Sequence, residues 1–315
     1  MRVPHLSPAA YRRVTIVAAV LLAVIIVTGA AVRLTNSGLA CPVGISCPDS
    51  LLQAHGHTSE HSTIEHVNRL FTGLVSVAVI VAVLGSLVRI PRRRDLVWLS
   101  AGLVVGVLAQ AVLGQLTVAF DLRPPFVMAH FLLSILLLSD ALVLVRRSGQ
   151  PAGPSRPVVS LRILRAGWAL LALAAAVLVS GTVVTGAGPH SGGGTHRNVA
   201  RLGIRIEDAA RIHSLIVMTF LAVVLLTMWF VQRDRAPVTV QRRLTLLLGV
   251  LVAQAIVGYV QYFNDIPALL VGVHVAGATL VWTATLVFVL GLREGTVVPA
   301  DADAAAHTPS LLAPA

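Results

Sequence analysis

Apolar residues fall in eight long and nearly uninterrupted blocks along the chain. The blocks cover about residues 14–33, 66–88, 97–119, 127–146, 166–186, 209–231, 244–263 and 267–291. About 20 apolar residues are enough for a helix to cross a bilayer, and each block is far longer than the strand of a membrane barrel. The pattern therefore predicts an all-α polytopic membrane protein with eight transmembrane helices.

One helical hairpin is nearly repeated in the sequence. The stretch AQAVLGQLTVAFDLRPPFVMAH runs from Ala109 to His130, and AQAIVGYVQYFNDIPALLVGVH runs from Ala253 to His274. Seven of the 22 aligned positions are identical, among them a Gln, a Gly, an Asp and the closing histidine. A general likeness between membrane helices does not predict such polar matches, so the repeat indicates a duplicated unit.

The duplicated unit comprises four helices. Because the first and fifth helices enter from the same side, we expect two parallel-repeat four-helix bundles with pseudo-twofold symmetry along the membrane normal. A similar offset places Asn68 opposite His213, and the first helices match more loosely through Gly29 and Gly181. The expected division is an N-terminal bundle over 1–146, a linker over 147–165, a C-terminal bundle over 166–293 and a disordered tail over 294–315.

Charge sets the expected orientation in the membrane. The chain is 56% hydrophobic and 12% charged, with a formal net charge of +11. The arginines lie mostly in short segments on one side, which predicts cytoplasmic termini and a membrane interaction with no nucleic acid partner. The loop 187–208 carries three arginines and weakens this rule locally. The first block is too long for a cleavable signal and is interpreted as a permanent helix.

Four polar positions lie one to two turns below the outer surface on the even-numbered helices, namely Asn68, His130, His213 and His274. A single histidine inside the membrane can serve merely as a helix–helix hydrogen bond, but ionisable groups there are costly and point to function. Two histidines at matched depth in the second half favour a cofactor. They suit a haem iron better than zinc, which needs further ligands.

The first half differs from the second. His130 is expected to face Asn68, whose amide is a poor iron ligand, and Glu65 lies one turn before Asn68 on the same helix face. This half is interpreted as holding a porphyrin less permanently and bringing a carboxylate to it. Arg33 and Arg69 lie at the outer edge, where they can bind propionates or reach lipid headgroups.

The outer loops contain further candidates. Cys41 and Cys47 lie in the first outer loop, where a disulfide, two free thiols and a redox-active pair all remain open. The same loop carries His55, His57 and His61, for which a solvated loop is favoured over a metal site. His190, in TGAGPHSGGG, either faces a haem edge or is an ordinary loop residue.

The motifs VRLTNSGLACP, IEHVNR, TGAGPHSGG, RIHSL and VGVH together resemble the haem A synthase family, over about residues 14–291. The resemblance implies an enzyme in the bacterial cell membrane that oxidises a methyl group of haem O to the formyl group of haem A. It implies haem b on His213 and His274, and the substrate haem O on His130. Haem O synthase and cytochrome oxidase assembly are the implied partners, and homo-oligomerisation is left open.

Two further features follow from the resemblance. Glu65 matches the acidic residue on which the family's activity depends, and Cys41 and Cys47 match its outer-loop pair, which we expect to form a disulfide. Asn68 departs from the pattern, because many members have a histidine there. The iron of the substrate haem is then five-coordinate on His130 or takes another ligand such as His66.

Two other functions fit the sequence pattern less well. A quinol-linked, cytochrome b-like electron carrier needs two permanent haems and therefore four good ligands, which Asn68 argues against. A transporter ranks third, because transporters usually place broken helices or acidic residues at the midplane. In this chain the polar positions lie near the outer edge.

Overall fold

Eight long helices make up most of the described part of the computed structural model, which covers residues 5–37, 59–190, 192 and 199–296, with the backbone alone at 59, 61 and 62. They are α1 (Pro8–Leu34), α2 (Ser59–Val88), α3 (Arg94–Ala119), α4 (Pro124–Ser148), α5 (Leu161–Ala187), α6 (Ile206–Arg233), α7 (Val238–Phe263) and α8 (Ala268–Leu290). Each is long and apolar enough to cross a membrane. The predicted all-helical, multi-pass architecture is confirmed.

Most of the helices extend beyond the apolar blocks that predict them. Before α1, the side chain of Ser7 accepts a hydrogen bond from the backbone amide of Ala10, and Pro8 occupies the first helical turn. Both are standard helix-start signals. Hydropathy marks only the hydrocarbon-spanning part of a helix, so polar turns at the helix ends escape it.

Sequential helices pack as hairpins: α1 against α2, α3 against α4, α5 against α6 and α7 against α8. Contacts of α1 with α4 and of α2 with α3 close the first four helices into a ring, and α5 with α8 and α6 with α7 do the same in the second half. The even-numbered helices of each half therefore lie at opposite corners of a bundle. The helix ends that lie opposite the two chain termini, termed the outer ends, carry the polar positions found in the sequence.

The two halves meet through α1 and α4 on one side and α5 and α8 on the other. The indole nitrogen of Trp282 on α8 donates a hydrogen bond to Oγ of Ser139 on α4, at 2.9 Å. A single apolar core runs through all eight helices. The pseudo-twofold axis and the domain boundaries stay predictions.

Aromatic side chains mark both ends of the bundle. Trp98, Trp168 and Trp229 are exposed near the arginine-rich helix ends. Tyr259 and Phe263 are exposed at the opposite end of α7. Aromatic belts at both interfaces are typical of membrane proteins, and the exposed aliphatic side chains between them form the lipid-facing surface.

A short sheet joins the predicted linker to the end of α8. Strand β1 (Ser155–Pro157) pairs antiparallel with β2 (Arg293–Gly295), with Arg156 opposite Glu294. Helix α5 begins at Leu161, inside the segment expected to be a linker. Glu294 and Gly295, expected to begin a disordered tail, belong to β2, because backbone pairing with the linker gives this polar stretch its order.

Candidate functional site

The hairpin repeated in the sequence is repeated in the backbone. Both α3–α4 and α7–α8 turn through an acidic and an apolar residue with positive φ: Asp121 and Leu122 at 51° and 56°, and Asp265 and Ile266 at 58° and 55°. Side-chain-bearing residues rarely adopt this conformation. The matched turns set the following helices, and their histidines, in equivalent positions.

Three histidine rings lie against glycines of the preceding helix. A Cβ placed on Gly114 would lie 3.5 Å from Cε1 of His130. The corresponding distances are 3.3 Å from Gly181 to His213 and 3.0 Å from Gly258 to His274. In each case a glycine lets an imidazole ring approach the neighbouring helix backbone, so the glycine acts as a seat for the ring.

A glutamine one turn before the seat fastens two of these helices. Gln110 Nε2 donates to the backbone carbonyl of His130 at 3.1 Å, and Gln254 Nε2 donates to that of His274 at 2.8 Å. Gln254 packs over Gly277, where a side chain would leave no room for it. Gln254 and Gly277 thus fix the histidine-bearing helix against its neighbour, and Gln110 makes the matching hydrogen bond in the first half.

His213 is held differently from the other two. Its Nδ1 lies 2.9 Å from Oγ of Ser180, the residue before the Gly181 seat. This contact leaves Nε2 as the nitrogen available to a metal. The Nδ1 atoms of His130 and His274 are buried and have no hydrogen-bond partner in the described part of the chain. The orientation of these two rings therefore depends on their glycine seats.

The two histidines of the second half come from opposite corners of their bundle. His213 lies on α6 and His274 on α8, six to seven residues from the first residue of each helix. No cluster of three or more His, Cys, Asp or Glu side chains suited to a metal ion occurs among the described residues. Two imidazoles carried by helices at opposite corners of one bundle fit a porphyrin iron.

In the first half, Glu65 is buried at 6% exposure, and one of its carboxylate oxygens lies 2.5 Å from the guanidinium of Arg69. Asn68 lies between them in sequence, and its Oδ1 is buried with no hydrogen-bond partner among the described residues. The structure therefore brings Glu65 and Arg69 together as an ion pair, which sequence reasoning had treated as two separate candidates.

Arg33 lies where the two halves meet at the outer end. One of its terminal nitrogens donates to the carbonyl of Thr185 on α5, at 3.3 Å, while its buried Nε has no hydrogen-bond partner among the described residues. A partly satisfied guanidinium at this position fits an anionic group such as a propionate.

His190 connects two outer loops, since its Nε2 lies 2.7 Å from the carbonyl of Ile266. It helps line a cavity of about 60 Å³ at the outer end of the second half, together with Thr185 and Gln261. His190 thus links the segment after α5 to the turn between α7 and α8.

Several sequence candidates lie outside the described residues or the described side chains. They are Cys41, Cys47, His55, His57 and His61. The disulfide between the two cysteines stays a prediction.

Residues 12–190 match the family model COX15-CtaA, described as cytochrome oxidase assembly protein. This match covers more than half of the chain. The chain belongs to this family. Membership confirms the resemblance seen in the motifs and gives the protein a role in cytochrome oxidase assembly. No curated protein matches the sequence.

The COX15-CtaA match covers α1 to α5 and includes Glu65, Asn68 and His130. His213 and His274 lie beyond it, so their assignment rests on the repeat and on their seats. Sequence reasoning missed the contact of Ser180 with His213, although a serine beside a glycine inside an apolar block was a usable signal.

Sequence reasoning also missed Asp140. Its carboxylate fills the space beside Gly102 on α3, where a Cβ would lie 2.8 Å from Oδ2. The signal was a lone acidic residue inside the fourth apolar block.

Proposed function

We propose that the protein is a haem A synthase, which oxidises one methyl group of haem O to a formyl group. The observation that carries the proposal is the set of three imidazoles seated on glycines near the outer helix ends, two of them on helices at opposite corners of the C-terminal bundle. A family role in cytochrome oxidase assembly supports the same reaction, because haem A is a cofactor made for that oxidase.

The second half is assigned to a resident haem b. His213 and His274 would hold its iron, and Ser180 would fix the tautomer of His213 by occupying Nδ1. When bound, this haem supplies an electron-transfer centre beside the substrate. The protein orients the group and tunes its electronics through these contacts.

The first half is assigned to the substrate. His130 would hold haem O, and Glu65 would accept protons released from the methyl carbon while Arg69 positions its carboxylate. Two successive oxidations would convert the methyl group first to an alcohol and then to a geminal diol. Each would take up the oxygen of one water, release two protons and pass two electrons to an external electron acceptor. Loss of one water from the diol leaves the formyl group.

The role of Glu65 is tested by Glu65→Gln, with extracted haems separated by chromatography after haem O is supplied. We expect haem O to accumulate and haem A to be lost. Glu207→Gln, in the exposed first turn of α6, is the matched control and should convert haem O normally. Unchanged conversion by Glu65→Gln removes Glu65 from the mechanism.

The haem b assignment is tested by optical spectra of purified His213→Ala and His274→Ala variants. Each should lose the low-spin haem b spectrum. An electron carrier of the cytochrome b type would instead keep two permanent haems and form no haem A from added haem O.

The proposed location is a bacterial cell membrane with both termini cytoplasmic. Haem O synthase is the proposed source of substrate, and cytochrome oxidase assembly is the proposed destination of the product. Both sites lie near the outer ends of the helices, so substrate and product are expected to exchange there.

A further inference from the structure

Three of the four repeated polar positions share one arrangement, and the fourth breaks it. His130, His213 and His274 each lie on a glycine of the preceding helix, within 3.5 Å of the position of its missing Cβ. The fourth glycine is Gly29 on α1, and no described atom lies within 4 Å of its Cβ position.

Gly29 faces the bundle and not the lipid. It continues the buried stripe of α1 that contains Ala18, Leu22 and Ile26, at intervals of three and four residues. No atom of the described part of the chain covers Gly29, so the space beside it on the inward stripe is open among these residues. This space corresponds to the one that holds an imidazole beside Gly181 in the second half.

Asn68 on α2 cannot fill this space as a histidine would. Its side chain is shorter than that of histidine, its amide is a poor iron ligand, and its buried Oδ1 has no hydrogen-bond partner among the described residues. It shares a helix face with Glu65, which is buried three residues earlier. In the second half His213, the residue matched to Asn68, lies against Gly181, so the repeat predicts that the open seat at Gly29 lies on the side of the bundle that carries Asn68 and Glu65.

We propose that the iron of the substrate haem is bound by protein on the His130 side alone, and that its opposite side, at Gly29 and Asn68, takes an exchangeable small neutral ligand. The inference rests on the proposed function. Neutral ligands are favoured because the nearby carboxylate is already paired with Arg69, and burial of a further charge is costly. Carbon monoxide and imidazole are neutral iron ligands of this kind.

The test uses the purified full chain in lipid nanodiscs, loaded with haem O, with carbon monoxide titrated onto the reduced protein. We expect one high-spin haem per chain in the ferric spectrum and one carbon monoxide bound per chain. Asn68→His should make that haem low-spin and abolish carbon monoxide binding. The reciprocal variant His213→Asn should open the second half and add a second binding haem.

A second variant tests the seat itself. A Cβ at Gly29 meets no described atom within 4 Å, so we expect Gly29→Leu to place its side chain in this space while the protein folds and keeps its haems. Imidazole affinity at the high-spin haem should fall at least about tenfold, because a leucine occupies the volume that the ring needs. Gly73→Leu, at another helical glycine with no described neighbour within 4 Å, is the control and should bind imidazole normally.

The outcomes separate this inference from the proposed function. A wild-type protein that holds two low-spin haems and binds no carbon monoxide overturns the inference, since another ligand such as His66 then fills the seat, while the proposed function stands. Carbon monoxide binding that persists in Asn68→His also overturns it. A purified chain that binds no haem at all overturns the proposed function.

Discussion

Glycine lets the ring of His274 lie close to the backbone of the preceding helix. At Gly258, a Cβ would lie 3.0 Å from Cε1 of His274, which is closer than nine in ten real Cβ contacts allow. The ring has no hydrogen bond at Nδ1 to hold it among the described residues, so it must move when the seat is filled.

Gly258→Ala should therefore displace His274 and weaken its bond to the haem iron. We expect partial loss of the low-spin haem b spectrum and a shift in its midpoint potential, measured by redox titration of the purified protein. Gly249→Ala makes the same change earlier on α7, where no described atom lies within 4 Å, and should leave both quantities unchanged. Equal effects of the two variants would show that the seat does not position the ring.

At this scale the repeat in the sequence picked out residues that the structure places in contact, but it did not specify those contacts. Matching the halves picked out Gln110, Gly114 and His130 together, because duplicated units keep their polar positions. The ion pair of Glu65 with Arg69 was missed although the two lie four residues apart. Glu65 had been assigned to the porphyrin site as its carboxylate, and Arg69 to propionates or lipid headgroups. The contact of Ser180 with His213 depends on how α5 and α6 pack, which helix periodicity does not specify.

At the scale of the element, the hairpin α7–α8 is fastened by one side chain. Gln254 donates to the carbonyl of His274 from a position over Gly277, so it links the helix that carries the seat to the helix that carries the ring. The hydrogen bond is modest in energy, since such bonds between membrane helices contribute about 0.6 kcal/mol on average. Its larger effect is to fix the register of α8 against α7.

Gln254→Leu should lower the unfolding free energy by about 1 kcal/mol and broaden the haem b absorption band, because His274 then samples several positions. Thermal unfolding in detergent and low-temperature optical spectra measure the two effects. Gln241→Leu removes a hydrogen bond from the same helix to the carbonyl of Ala236, away from the histidine. It should reduce stability to a similar extent while the spectrum stays sharp; a broadened band in this control would contradict the proposed role of Gln254.

The elements themselves were predictable because membrane helices must be long and apolar. All eight apolar blocks lie in helices, yet the block ends fall up to seven residues inside the observed helix ends. For α2, the apolar block begins at about residue 66 whereas the helix begins at Ser59. Polar first turns such as this one obey capping and turn preferences that hydropathy does not measure.

At the scale of the whole molecule, the two halves form one body. They share a continuous apolar core and the hydrogen bond between Trp282 and Ser139. Because α1, α4, α5 and α8 make the junction, α2, α3, α6 and α7 take outer positions. The sequence predicted the four-helix units but not this junction, since an apolar face toward lipid and one toward another helix have the same composition.

The orientation of the molecule can be tested by proteolysis from one side. Arginine-rich segments predict that the α4–α5 connection lies in the cytoplasm and the α5–α6 connection outside. A protease recognition sequence is inserted after Ala152 in one variant and after Gly203 in another, both at exposed positions. In right-side-out spheroplasts, added protease should cut only the Gly203 insertion, and in inverted vesicles only the Ala152 insertion. The reverse pattern would place both proposed haem sites at the cytoplasmic face. The glycine seats would be unaffected, but the expected side of haem exchange would be wrong.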